Sequence, residues 1–228
     1  MASKTVDNYE TTIKDLHSKL STLPPFHPEY NKLEEQIGRQ VSKWCELVQI
    51  VVYRAENENT GWTEAELGLP IRPLPSKKDS GFQQTGDYLF IVNGVQSSLV
   101  IERKGVTRQN GYMKGCDLYS TLFQKTNRDR FKKEFARFQA DSRLDTFLVI
   151  AECSYGEFLS FTPLFNGKKR NVNHIGASRQ SRIGTIASLE LDGCHVIFAG
   201  TWMMAIELYR AMIRNWILKN YEIILRLK

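Results

Sequence analysis

Apolar residues recur along the chain in several rhythms, and each rhythm predicts a different element. Val6, Tyr9, Ile13, Leu16 and Leu20 stand three and four apart, which predicts an amphipathic helix over residues 5–20. Pro24, Pro25 and Pro28 interrupt it. Leu33, Ile37, Val41, Trp44 and Val48 repeat the helical spacing. Residues 1–47 therefore read as an N-terminal helical hairpin, and residues 48–228 as the main domain. The hairpin suits a structural cover; contact with DNA or a partner is the other reading.

The main domain changes rhythm. LVQIVVYR (47–54) predicts a first strand, and residues 55–85, rich in Asn, Gly, Pro, Ser and Lys, a long connection. GDYLFIVNGVQSSLVIERK (86–104) reads as two strands around Asn93-Gly94, a pair that tolerates the positive φ of a type I′ turn. Residues 127–142 set Phe131, Phe135 and Phe138 on one helix face, flanked by Arg128, Lys132, Lys133 and Arg137. TFLVIAE (146–152) and CHVIFAG (194–200) are short apolar runs that suit strands buried on both faces. A helix near 181–191 lies between them, so strand, helix and strand predict a right-handed crossover into a parallel pair. TWMMAIELYRAMIRNWILKN (201–220) closes as a long helix with a broad apolar face.

Charge narrows the function classes. Net charge is +6 and the pI near 9.1, a balance that suits a polyanionic partner such as nucleic acid. Cys45, Cys116, Cys153 and Cys194 are far apart and show no zinc-ligand spacing. None of His17, His27, His174 and His195 accompanies a nucleophile motif, so no acyl-transfer triad is read. No apolar run approaches the ~20 residues of a membrane span. The N-terminus lacks the apolar stretch of a secretion signal. These point to a soluble intracellular protein, cytoplasmic or nuclear according to its source.

The hairpin carries the chemistry. With a two-residue turn, Val92 pairs with Val95, and counting back pairs Asp87 with Val100. Paired residues share a face and faces alternate, so Asp87, Glu102 and Lys104 point to one side, with Asp87 and Glu102 diagonal neighbours. Arg103 and Tyr88 point to the other. Two converging carboxylates repel unless a cation neutralises them, and hard oxygen ligands suit Mg²⁺ or Mn²⁺. Lys104 would hold or polarise a water beside it. The alternative is a charged hairpin end with solvent-facing salt bridges.

Gly-Asp, a variable hairpin and then Glu-Arg-Lys resemble the signature of the XPF-type structure-specific endonucleases, a variant of the PD-(D/E)xK nuclease motif. SRIGTIASLELDGCHVIFAGTWMMAIELYRAMIR resembles the family's helix, strand and closing helix, and the likeness covers residues 48–220. It implies an α/β, restriction-endonuclease-like fold: a mixed central sheet flanked by helices. It implies a metal-dependent endonuclease of branched DNA, such as flaps, forks or splayed arms. A Holliday junction resolvase or restriction-type nuclease on the same fold, and a non-catalytic DNA-binding subunit, are the alternatives. Asp87 and Glu102 would be ligands for Mg²⁺ or Mn²⁺, Lys104 would help activate water, and Arg103 would support the site or contact phosphate. The family's acid after Glu-Arg-Lys is matched to Asp117, displaced by GVTRQNGYMKGC, whose Arg108 and Lys114 either touch DNA or sit on a surface loop.

Where the family has Asp-x-Arg-Glu on its first strand, this chain has Val52, Tyr53, Arg54 and Ala55. Glu56 is the candidate third acid, with Glu58 and Glu66 behind it, and Arg54 could hold phosphate. Glu152 is expected to be structural or to support the ligands. Lys168, Lys169, Arg170, Arg179 and Arg182 are candidate phosphate contacts. Nothing in these residues reads as the family's frequent helix-hairpin-helix module. Duplex grip is expected from the nuclease domain, the N-terminal helices, a second subunit or another protein. The closing helix is expected to form a homodimer, as this region does in the family.

Overall fold

The computed structural model describes residues 2–24, 26–56, 58, 60–74, 85–165, 168–169 and 177–226. Along the chain these form α1 (Ala2–Ser21), α2 (Pro28–Cys45), β1 (Ile50–Arg54), α3 (Glu64–Leu67), β2 (Ile71–Pro73), β3 (Tyr88–Val92), β4 (Val95–Gln96) and β5 (Leu99–Lys104). Then come β6 (Val106–Gln109), β7 (Tyr112–Cys116), α4 (Asp117–Phe123), α5 (Lys125–Ala140), β8 (Thr146–Ala151) and α6 (Tyr155–Ser160). The last are β9 (Leu164–Phe165), β10 (Lys168–Lys169), α7 (Arg179–Leu191), β11 (Cys194–Phe198) and α8 (Trp202–Arg226). None of the described helices is long and apolar enough to cross a membrane.

The central sheet has seven strands in the order β11-β8-β5-β3-β1-β2, with β4 paired to β3. It is mixed, as expected. β11, β8 and β5 run parallel, β1 and β2 run parallel, and β3 is antiparallel to β5. β8, α7 and β11 form the predicted parallel pair with an intervening helix. β8 lies between two parallel strands, which explains its unbroken run of buried apolar residues from Phe147 to Ala151.

The chain divides into two compact units: residues 1–51, 90–96 and 211–228, and residues 52–89 and 97–210. In the first, Ile13 of α1 and Ile37, Val41 and Trp44 of α2 are buried. The Trp44 indole N–H donates to the buried Glu10 carboxylate at 3.2 Å. Pro28 opens α2, where its missing N–H costs no intrahelical bond, and His27 caps the helix by accepting from the Glu29 amide. Phe90 meets Trp216 edge-on at 5.2 Å, and His17 bonds the Tyr221 hydroxyl. The far half of the closing helix therefore has neighbours within its own unit.

The second unit holds the larger core. Phe147 on β8 is ringed by Phe131, Phe135 and Phe138 of α5, with ring centroids 6.0, 5.4 and 5.3 Å away. Their spacing of four and three in the sequence is what places all three on the sheet. Val100, Leu118, Leu122, Val149, Phe158 and Cys194 complete this cluster on the same side.

Two segments hold more structure than the sequence reading assigned. Residues 55–85, expected as a connection, contain α3 and β2. Thr63 and Glu66 close a reciprocal capping box on α3, and Gly68 ends it at φ +64°. The insertion after Lys104 is a β-hairpin, β6–β7, turning at Asn110-Gly111 with φ of +50° and +76°. Its signal is the same Asn-Gly pair that marks β3–β4.

Candidate active site

Val92 pairs with Val95 and Ile91 with Gln96, so the Asn93-Gly94 turn has two residues as expected. The register then slips by two. Tyr88 pairs with Ile101, where an unbroken count gives Leu99. Ser97 and Ser98 absorb the difference. The Ser97 hydroxyl turns back to the Leu99 carbonyl, and the Ser98 carbonyl accepts from the Asp145 and Thr146 amides. Because the slip is an even number, faces are preserved: Asp87 stays on the side of Glu102 and Lys104. The expected pairing of Asp87 with Val100 is thus corrected by two residues, without moving the acid off its face.

Gly86 makes this arrangement possible. Its φ is +74°, and a Cβ there would lie 2.3 Å from Val100 Cγ1 and 2.9 Å from the Ile101 carbonyl oxygen. Only glycine lets β3 approach β5 so closely. Its amide donates to Glu134 Oε1 at 2.9 Å, and the Asp87 amide donates to the Ile101 carbonyl at 2.8 Å.

Asp87, Glu102 and Lys104 are all buried, at 9%, 4% and 6% exposure. Asp87 Oδ2 accepts the Arg103 amide at 2.8 Å. The Lys104 ammonium donates to Glu102 Oε1. Glu102 Oε2 is buried without a hydrogen-bond partner. Burial, and then the Glu102 charge, push the Asp87 carboxyl well above its ordinary range despite the pull of Lys104. Burial raises the Glu102 carboxyl as well, against the pull of Lys104. Burial pulls the Lys104 ammonium down, but the charges of Glu102 and Asp87 outweigh it and the net shift is upward.

A cavity of about 360 Å³ opens over these three residues. Asn127, Arg130, Glu134 and Arg137 of α5 line it at helical spacing, together with Asp117, Ser120 and Thr121 of α4. Arg130 and Arg137 are exposed at its edge. The sequence reading named Arg137 as a basic flank and missed Arg130 and Glu134 as site residues. A larger hollow of about 1260 Å³ lies within the other unit, lined by His17, Tyr30, Ile37 and Leu218 among others, and contains none of the hairpin acids.

Asp117 lines the cavity because the β6–β7 hairpin closes on itself. The Asp117 amide donates to the Gly105 carbonyl at 3.1 Å, so the residues on either side of the insertion meet. Arg108 leaves the cavity for an ion pair with Glu157 at 2.5 Å, and Lys114 is exposed on β7.

Strand alternation turns Arg103 away from Glu102 and Lys104, yet it still borders the cavity with Glu58, and its side chain is fully engaged. Its Nε and Nη2 donate to Glu152 at 2.7 and 2.9 Å, and its Nη1 to Glu58 at 2.5 Å. Its guanidinium lies 4.6 Å from the centre of the Trp202 ring. Glu152, only 2% exposed, also accepts the Trp62 indole N–H at 3.1 Å. These contacts occupy all three guanidinium nitrogens.

Other candidates lie elsewhere. Glu56 is exposed in the turn after β1 and does not line the cavity, whereas Glu58 does. Glu66 caps α3 and accepts from the Trp202 indole. Arg54 donates to the Trp62 carbonyl at 3.2 Å. Arg182 is buried and donates to the carbonyls of Ala177, Phe158 and Leu159, which removes it from the expected phosphate contacts. Arg179 is exposed at the start of α7. Lys168 and Lys169 form the short β10, and Arg170 lies outside the described residues.

Among the described residues, no three His, Cys, Asp or Glu side chains are grouped to hold a metal ion. Two carboxylates are a sufficient protein donor set for Mg²⁺, which usually keeps several waters and takes substrate phosphate as well. The residues fit such an ion on two counts: a buried carboxylate oxygen without a partner, and two acids whose ionised forms burial disfavours.

No family model matches the chain, and no curated protein matches it. Among solved structures it is similar to XPF from Aeropyrum pernix, with 18% identity, a TM-score of 0.47, and coverage of 76% of this chain and 68% of that chain.

Proposed function

We propose that this protein is a Mg²⁺- or Mn²⁺-dependent DNA endonuclease that hydrolyses phosphodiester bonds in branched DNA. The observation that carries the reading is the buried Asp87–Glu102 pair, with one orphaned oxygen and Lys104 on the same face. The Gly-Asp and Glu-Arg-Lys residues that resemble the XPF-type signature are the ones that form it.

Asp87 and Glu102 would hold the cation, which when bound supplies Lewis-acid polarisation of the phosphate and lowers the pKa of a bound water. The Arg103 amide fixes the Asp87 carboxylate, and the Arg103 side chain braces β5 against Glu152 and Glu58. Lys104, held as a cation, donates toward a water or a phosphoryl oxygen and opposes charge building there. Arg130 and Arg137, exposed at the cavity edge, would contact phosphates of the substrate. A homodimer belongs to this reading, with Met203 and Met204 of α8, 70% and 57% exposed, as the surface for a second copy.

Val52 and Ala55, which stand where the XPF-type signature carries acids on its first strand, favour a second reading, a DNA-binding subunit without catalysis. One experiment separates the two. Labelled duplex, flap, fork and four-way substrates are incubated with Mg²⁺, Mn²⁺ or EDTA, beside an Asp87→Ala variant. Cleavage of a branched substrate that needs metal and Asp87 is expected. Cleavage in EDTA, or undiminished in the variant, refutes the mechanism, and binding without cleavage supports the second reading.

A further inference from the structure

The β6–β7 hairpin stands directly beside the cavity. It leaves the sheet after Gly105 and returns at Asp117, whose amide is bonded to the Gly105 carbonyl. The hairpin forms a two-stranded sheet of its own, separate from the central one. Such a ribbon is marginal in water unless braced, and its two faces differ in how they are braced. On one, Val106, Met113 and Cys116 meet the core cluster and Arg108 pairs with Glu157. On the other, Gln109 pairs with Tyr112 beside the turn, and Tyr112 is 76% exposed. A bulge opposite Thr107 and Arg108 adds Lys114 to β7, also exposed.

An exposed aromatic at the tip of a stiff type I′ ribbon loses little freedom on binding and offers a flat face. Residues 106–116 contain no Asp or Glu; Arg108 is paired with Glu157, and the exposed Lys114 gives the ribbon a positive charge that complements a polyanion. Four or five residues per strand extend roughly 13–17 Å, several base-pair steps along a DNA helix.

We propose that the β6–β7 hairpin is a branch-recognition pin, and that Tyr112 stacks on an exposed base where duplex gives way to single strand. The proposal rests on the nuclease reading for its choice of DNA as partner. It adds the element that would distinguish a branched substrate from continuous duplex. In continuous duplex the bases are already stacked on each other and no face is free for Tyr112; at a branch the terminal pair is.

Binding in EDTA tests the pin without cleavage. A fork carrying 2-aminopurine at the branch is titrated with the full-length protein, Tyr112→Ala and Tyr112→Phe, beside a plain duplex. Loss of base–aromatic stacking is expected to weaken fork binding about 5- to 100-fold in Tyr112→Ala. Duplex binding is expected to stay unchanged, Tyr112→Phe to match the parent, and the 2-aminopurine signal to change only with an aromatic at 112. Equal fork binding by Tyr112→Ala and the parent overturns the proposal, as does an equal loss on fork and duplex. Metal-dependent cleavage in parallel keeps the two ideas apart. Cleavage by the parent with fork binding indifferent to Tyr112 removes the pin and leaves the nuclease. Tyr112-dependent fork binding without cleavage leaves the pin and removes the nuclease.

Discussion

Replacing Arg103 with methionine tests whether this arginine braces the site through its ion pairs or reaches substrate. The side chain is 6% exposed and makes three charged hydrogen bonds, two to Glu152 and one to Glu58. Methionine keeps much of the volume and removes all three. Glu152 is then left 2% exposed with the Trp62 indole as its remaining partner among those described here. Stranding one member of a buried ion pair costs about 3–5 kcal/mol. Loss of the cation over Trp202 adds roughly 0.5–2 kcal/mol. The variant should therefore lose about 3.5–7 kcal/mol, a large part of the 5–15 kcal/mol typical of a domain. Urea denaturation followed by circular dichroism measures it. The same change made in a Glu152→Leu background should cost clearly less, because only the partly exposed Glu58 carboxylate is left without its partner. A loss under about 1 kcal/mol in Arg103→Met, with a drop in DNA affinity, would refute the assignment and make Arg103 a phosphate contact.

Other substitutions probe the rest of the site. Gly86→Ala forces a Cβ to 2.3 Å from Val100 at a positive φ, and should destabilise by roughly 2–5 kcal/mol in the same denaturation assay. The Asp87 carboxyl has a folded pKa above its unfolded value of 3.8, so the folded protein binds the proton more tightly. Stability from this group falls as pH rises from the unfolded towards the folded pKa, and stays lost above it. In EDTA, Asp87→Asn should thus melt higher than the parent at pH 7.5, with the gap closing as pH falls towards 4 and shrinking when Mg²⁺ is added; a gap constant across pH contradicts this. The proposed homodimer predicts that Met203→Glu with Met204→Glu lowers the mass seen in light scattering from two chains to one; an unchanged mass contradicts that surface.

Much of the fold was legible because local chemistry and global pattern agree. Asn93-Gly94 set the turn, and strand alternation put Asp87, Glu102 and Lys104 on one face. The slip at Ser97-Ser98 was not legible, since it depends on where Ser98 meets Asp145 and Thr146 at the edge of β8. Asn110-Gly111 was legible in principle, because it carries the same turn chemistry as Asn93-Gly94. Its flanking residues lack the apolar alternation that made the first pair readable, as the ribbon is exposed on much of both strands. Thr63-x-x-Glu66 likewise announced α3 inside a stretch dominated by loop residues. Arg130, Glu134 and Arg137 form a regular polar stripe on α5, yet a sequence does not say which strand ends that stripe will face. Arg182 shows the converse: a basic residue in a basic segment that folding spends on three carbonyls.

The central claim is that Asp87 and Glu102 together bind one divalent cation. Calorimetric titration of Mn²⁺ into the metal-free protein measures this directly, with Asp87→Asn and Glu102→Gln run alongside. One site per chain in the parent, lost in both variants, is the result predicted. Unchanged Mn²⁺ binding in either variant, or none in the parent with or without DNA, contradicts it.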